Sequence, residues 1–175
     1  MGCKKCDERR KAEAAAKARA AKAATDRAAA KAYADASAWH RFGWQFIHKF
    51  SMSLPQGALD EAAIGHVRRV VQLFIEILPC EDCKGHATAF LIGGDVAKLA
   101  QVTTGKQVVL LFHALHNDVN ERTSKAHAPI EVLTSYADIE VRPALMGYIA
   151  AAKATPPVPL PAITALQAHV KALGL

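Results

Sequence analysis

Cys80 and Cys83 stand three residues apart, directly after Pro79 and at the end of a long apolar run. Proline is accommodated in the first turn of a helix, so Pro79 predicts a helix start with both thiols in its first turns. The positive end of a helix favours the thiolate, which is the reactive form of cysteine. Residues at i and i+3 share a helix face, close enough to join as a disulfide. The pattern is that of a redox-active dithiol. Two other readings compete: a pair of buried structural cysteines, and half of a zinc site. His86, one turn further on, keeps zinc in play, since Cys80, Cys83 and His86 with His113 or His116 would make a four-ligand set. A second Cys-x-x-Cys pair, Cys3 and Cys6, lies at the start of the chain.

Two further stretches carry candidate binding groups. In residues 104–125, helical periodicity puts His113, His116, Asn117 and Asn120 in one arc, opposite Val108, Leu111, Phe112, Leu115 and Val119. The apolar side predicts core packing. A plain solvated face would be richer in Lys and Glu, so the His/Asn side predicts a surface that holds something polar. Arg122 and Lys125 follow about one turn later, placed to meet phosphate. In residues 39–53, which hold five of the eleven aromatics, Trp44 and His48 are spaced i, i+4 on one helical face. A Trp and a His on an apolar helix are also ordinary core residues.

These groups require helices to position them. Leu59, Ala63, Val67, Val70, Phe74 and Ile77 recur at three- and four-residue steps, the pattern of a bundle helix over 58–78. His66 is read as core. The next helix runs from Cys80 to about Ile92 and ends at Gly93-Gly94. Residues 129–152 read as one helix, with Pro143 as a possible kink. The run from Pro156 to Pro161 predicts an extended linker, and 162–173 a short closing helix. No stretch alternates convincingly as a strand. That removes the βαβ scaffold a thioredoxin-type dithiol would need.

The 175-residue chain is long enough for one domain with a real core. Its net charge of +6 is uneven: residues 1–38 carry ten Lys/Arg against five Asp/Glu, and the rest is nearly balanced. Sixteen of those 38 residues are alanine, which predicts an exposed helical arm without a wide apolar stripe. Helical from Asp7 to Ala38, it would reach roughly 48 Å. A basic arm on a near-neutral domain argues against a nucleic-acid binder, although the arm itself is compatible with nucleic acid, a membrane surface, an acylated start or a transit peptide. No apolar run reaches the ~18 residues of a membrane span, and the charged start predicts no secretory signal. Outside a disulfide scaffold, two Cys-x-x-Cys pairs point to redox or metal chemistry.

Taken together, these elements resemble the Erv/ALR family of FAD-dependent sulfhydryl oxidases, especially the short forms of large DNA viruses. The resemblance runs from about Trp39 to Lys125: Gly43-Trp44 then His48, Pro55, Pro79-Cys80-x-x-Cys83-x-x-His86, and His113-x-x-His116-Asn117-x-Val119-Asn120. It implies an all-α fold: a four-helix-bundle core with an additional short helix, preceded here by the Ala-rich arm. The expected organisation is an arm over 1–38, an FAD-binding oxidase domain over 39–152, and a Pro-rich linker with a helix over 153–175. The resemblance implies FAD as cofactor, no metal, and a homodimer. It makes Cys83 the thiol nearest the flavin and Cys80 the thiol that exchanges with a shuttle pair, Cys3 and Cys6. Trp44 and His48 would line the flavin, His116, Asn117 and Asn120 would contact the adenosine half, and His86 and Val119 would also be FAD-binding. Lys125 would lie near the phosphates; His113 and Tyr136 would contribute less defined contacts, with Tyr136 stacking on adenine. The expected substrate is a protein thiol or a thioredoxin-like protein, with O2 as acceptor and H2O2 as product. The expected place is the cytoplasm of an infected cell or the virion, with the mitochondrial intermembrane space as alternative. Leu54 and Leu111 stand where the family commonly has aromatics, and the proline often following Lys125 is absent.

Overall fold

The structure, a computed structural model, describes Lys17, Arg19, Lys22 and residues 38–93, 97–154 and 159–175. The chain divides into two units, 1–37 and 38–175. In the first, Lys17, Arg19 and Lys22 are helical and exposed. Cys3 and Cys6, with most of the expected arm, lie outside the described residues.

The second unit is all-α, and no strand occurs among the described residues. Helix α1 covers 38–53. It turns Phe46, Ile47 and Phe50 fully inward. Its last carbonyls are met by the Gln56 side chain, which donates to Leu54 O (2.8 Å) and Met52 O (3.3 Å). Helix α2, Glu61–Ile77, begins at Asp60, whose carboxylate accepts the Ala63 N–H at 2.7 Å. It buries Val67, Val70, Val71, Leu73, Phe74, Ile75 and Ile77. Pro79 forces it to stop: the preceding Leu78 is held at φ −54°, ψ 129°, outside the helical region.

Helix α3, Glu81–Leu91, starts immediately beyond, with Cys80 as its N-cap. A short 3-10 turn, Lys98–Gln101, leads to α4, Gly105–Arg122. A capping box opens α4: Thr104 Oγ1 accepts the Gln107 N–H at 3.2 Å, and the Gln107 side chain accepts the Thr104 N–H at 3.0 Å. The start of α4 is tied to the loop after α1 through Gly105 N–H to Gly57 O and Lys106 N–H to Gln56 O, both 3.2 Å. A side chain at Gly105 would collide with the Pro55 carbonyl, so this approach requires glycine.

The single helix expected over 129–152 is two elements. A 3-10 segment spans Ile130–Tyr136 and α5 spans Val141–Lys153. Pro143 does not kink α5, because it lies in the first turn, where its missing N–H has no intrahelical partner to lose. Tyr148 of α5 is fully buried and donates its hydroxyl to Phe74 O at 3.0 Å. Helix α6, Leu160–Ala172, packs on α2 and buries Ala162, Ile163, Leu166 and Val170. It is therefore part of the same compact unit as the helices before it. His66 is only partly buried and meets His169 of α6, Nδ1 to Nδ1 at 2.8 Å. One apolar cluster draws on all six helices. No described helix is long and apolar enough to cross a membrane.

Candidate active site

Cys80 and Cys83 are joined as a disulfide, with their Cα atoms 5.1 Å apart. The end of α2 and the start of α3 deliver them. As N-cap, Cys80 has extended backbone angles, and its Sγ accepts the Cys83 N–H at 3.2 Å. Both cysteines are partly buried. The disulfide therefore sits at the positive end of α3, where either sulfur, once released, gains from the helix dipole.

Cys83 opens onto a mostly apolar cleft of about 210 Å³. Helix α1 supplies Trp39, His40, Gly43 and Trp44; α3 supplies Asp82, Cys83, His86 and Ala87; α4 supplies Leu115, Val119 and Arg122. Trp44, Cys83, His86 and Val119 thus line one cleft, whereas His48, His113, His116, Asn117, Asn120, Lys125 and Tyr136 are not among its lining residues. Pockets for drug-sized ligands measure about 300–1,000 Å³. The cleft accordingly suits one planar ring system rather than a whole dinucleotide.

Behind Trp44 lies an aromatic cluster. Trp44 stacks on His116 with centroids 4.1 Å apart and planes 7° from parallel. It also stacks on His48 at 5.5 Å. Tyr136 leans on His48 at 4.8 Å. His48 is fully buried and its Nε2 meets His116 Nδ1 at 2.9 Å, while its Nδ1 has no hydrogen-bond partner. Burial first, and then His116 and His113, push the His48 pKa down to about 3. Burial, then His113 and Lys125, likewise lower His116. His40 is lowered by burial and then by Lys125. The imidazoles of this wall are therefore neutral near pH 7, and the cations beside them are Arg122 and Lys125.

The His/Asn face of α4 is divided in use. His113 Nε2 lies 2.9 Å from Ala128 O, and Asn117 brackets the same residue, donating to its carbonyl (3.0 Å) and accepting its N–H (2.7 Å). These two side chains pin the loop after α4. Asn120 is buried. The backbone N–H of Lys125 returns to Asn120 O at 2.8 Å, closing the end of α4. The zinc set finds no geometric support: Cys80 and Cys83 are bonded to each other, His86 meets Asp118, and His113 meets Ala128. No group of three or more candidate ligands is gathered among the described residues.

Sequence reasoning missed four residues of the site. Trp39 and His40, stacked at 3.7 Å, line the cleft from the first turn described in α1. Asp82 lines it from α3. Asp118 approaches His86 from α4. Their only sequence signal is proximity to the motifs; cross-helix packing makes them neighbours.

An all-helical unit with a Cys-x-x-Cys disulfide at an aromatic cleft defines a class, and the chain belongs to the Erv1/Alr family, whose profile matches residues 41–138. It is also similar to an inferred FAD-linked sulfhydryl oxidase, 096R, of Invertebrate iridescent virus 3, at 30% identity over 95 residues. That match covers 52% of this chain and 60% of the viral protein, so the chain spans about three fifths of its relative's length. No solved structure matches the chain significantly.

Proposed function

We propose that this protein is an FAD-linked thiol oxidase that makes disulfides in protein thiols. The observation that carries the reading is the Cys80–Cys83 disulfide at a cleft walled by Trp44, His86 and Val119. Family membership and the name of the viral relative support it. The residues fit FAD on four counts. The cleft is apolar and of ring size. The wall behind it is aromatic and neutral, which suits an uncharged ring. His48 Nδ1, in the aromatic cluster beside Trp44, is a buried polar atom without a protein partner. Arg122 and Lys125 provide charge for a diphosphate.

In the thiol chemistry, a substrate thiolate attacks Cys80 Sγ, the Cys80–Cys83 bond breaks, and Cys83 leaves as a thiolate. A second substrate thiolate then attacks the substrate sulfur of the mixed disulfide and expels Cys80 as a thiolate. The substrate has lost two electrons and two protons, and the protein pair has gained the electrons. Bound flavin supplies a two-electron acceptor that returns the pair to the disulfide state, with O2 as final acceptor and H2O2 as product. Cys3 and Cys6 act as the shuttle between protein substrates and Cys80. The working form is a homodimer, and 1–38 and 39–152 act as arm and oxidase domain. The viral relative supports a place in the cytoplasm of an infected cell.

The visible spectrum of the purified chain tests this. Flavin bands that bleach with anaerobic dithiothreitol and return in air are expected. A colourless protein that takes up no added FAD would overturn it.

A further inference from the structure

We propose that His86 and Asp118 form a proton-holding pair that keeps the Cys83 sulfur as a thiolate once the disulfide is opened. The inference rests on the thiol-oxidase reading of the same disulfide. His86 Nε2 lies 2.5 Å from Asp118 Oδ2, with side chains 14% and 35% exposed, so the contact is partly shielded from solvent. A nitrogen lone pair and a carboxylate oxygen do not approach this closely without a proton between them. Nε2 is thus the ring nitrogen that faces the carboxylate, and the proposal assigns it the proton. Nδ1, the remaining acceptor, makes no hydrogen bond among the described residues. Cys83 and His86 are spaced i, i+3 on α3, and both line the cleft. A thiol and an imidazole one turn apart, with a carboxylate on the imidazole, are the groups by which a cysteine is activated.

The step is a proton transfer alone. In the reduced dithiol, the Cys83 S–H bond breaks, Nδ1 of His86 takes the proton, and the sulfur keeps the electron pair. The imidazolium so formed is paired with the Asp118 carboxylate, and nothing is oxidised or reduced. Other charged or titratable groups around the cleft are Asp82 on α3, His40 on α1 and Arg122 on α4. The helix end acts on Cys83 alike in every variant, so the comparison between variants isolates the pair.

The test uses the full chain with Cys80→Ser, which leaves Cys83 unpaired. Iodoacetamide alkylation of Cys83, followed by mass spectrometry, is measured against pH with and without Asp118→Asn or His86→Gln. Both substitutions are expected to raise the midpoint by about one unit, slowing alkylation roughly tenfold at acidic pH. The sign is diagnostic. If Asp118 were only a nearby charge or a tie between α3 and α4, removing it would lower the midpoint or leave it unchanged, and either result overturns the proposal. Should His86→Gln fail to fold, the isosteric Asp118→Asn still decides. The readout needs no flavin, so a chain that binds no FAD but shows the Asp118-dependent midpoint would sink the oxidase reading alone.

Discussion

At the scale of single residues, the proposed reaction separates groups that react from groups that must stay neutral. Cys83 belongs to the first kind. Cys83→Ser is expected to abolish turnover with every thiol while leaving flavin bound, as read by dithiothreitol oxidation and visible absorbance. His48 belongs to the second. Its folded pKa of about 3 lies below the unfolded value of 6.5, so below 6.5 the unfolded chain binds the extra proton. The stability conferred by neutral His48 is complete above that value and is lost as pH falls towards 3. Between about pH 7 and about pH 5 the loss is on the order of 2 kcal/mol. A urea midpoint that falls across this window, and falls less in His48→Gln, is the expected result. Equal slopes would remove His48 as the cause.

Helix ends and helix contacts decide the positioning at the next scale. Pro79 stops α2 so abruptly that Cys80 is free to cap α3, and this puts the disulfide at a positive helix end. Gly105 lets α4 press on the Pro55 carbonyl. Gly105→Ala is expected to cost about 1–3 kcal/mol by overpacking, lowering the melting temperature by several degrees. An unchanged melt would mean that the 54–57 loop yields freely. Helix α6 is a structural element rather than an appendage, since Leu166 is fully buried. Leu166→Ala is expected to cost about 2–5 kcal/mol, while oxidase activity per folded molecule stays unchanged because α6 supplies nothing to the cleft.

The whole molecule comprises a compact helical unit and a basic N-terminal stretch bearing a second Cys-x-x-Cys pair. Replacing Cys3 and Cys6 with serine is expected to spare oxidation of dithiothreitol, which reaches Cys80 directly, and to slow oxidation of protein thiols. Equal rates with protein substrates would end the shuttle role.

Much of the site was legible in the sequence because its signals are local. The Pro-Cys-x-x-Cys run dictates a helix end and a dithiol, and three- and four-residue periodicity dictates the all-α fold and the apolar faces of α2 and α4. Trp44 and His48 share a face because a helix turns every 3.6 residues. What only tertiary structure decided is which surfaces meet. The pairing of His86 with Asp118, the stacking of Trp44 on His116 and the burial that neutralises His48 all cross between helices. The use of Asn117 on the Ala128 backbone, 11 residues along the chain, likewise depends on how the loop after α4 folds back. The 137–140 break before α5 also escaped the sequence reading, because helix propensity is a weak local preference and the packing of Tyr148 against Phe74 is not local. Periodicity sets the face of a helix. The partner of that face depends on how the helices close around one core, and no single helix encodes that closure.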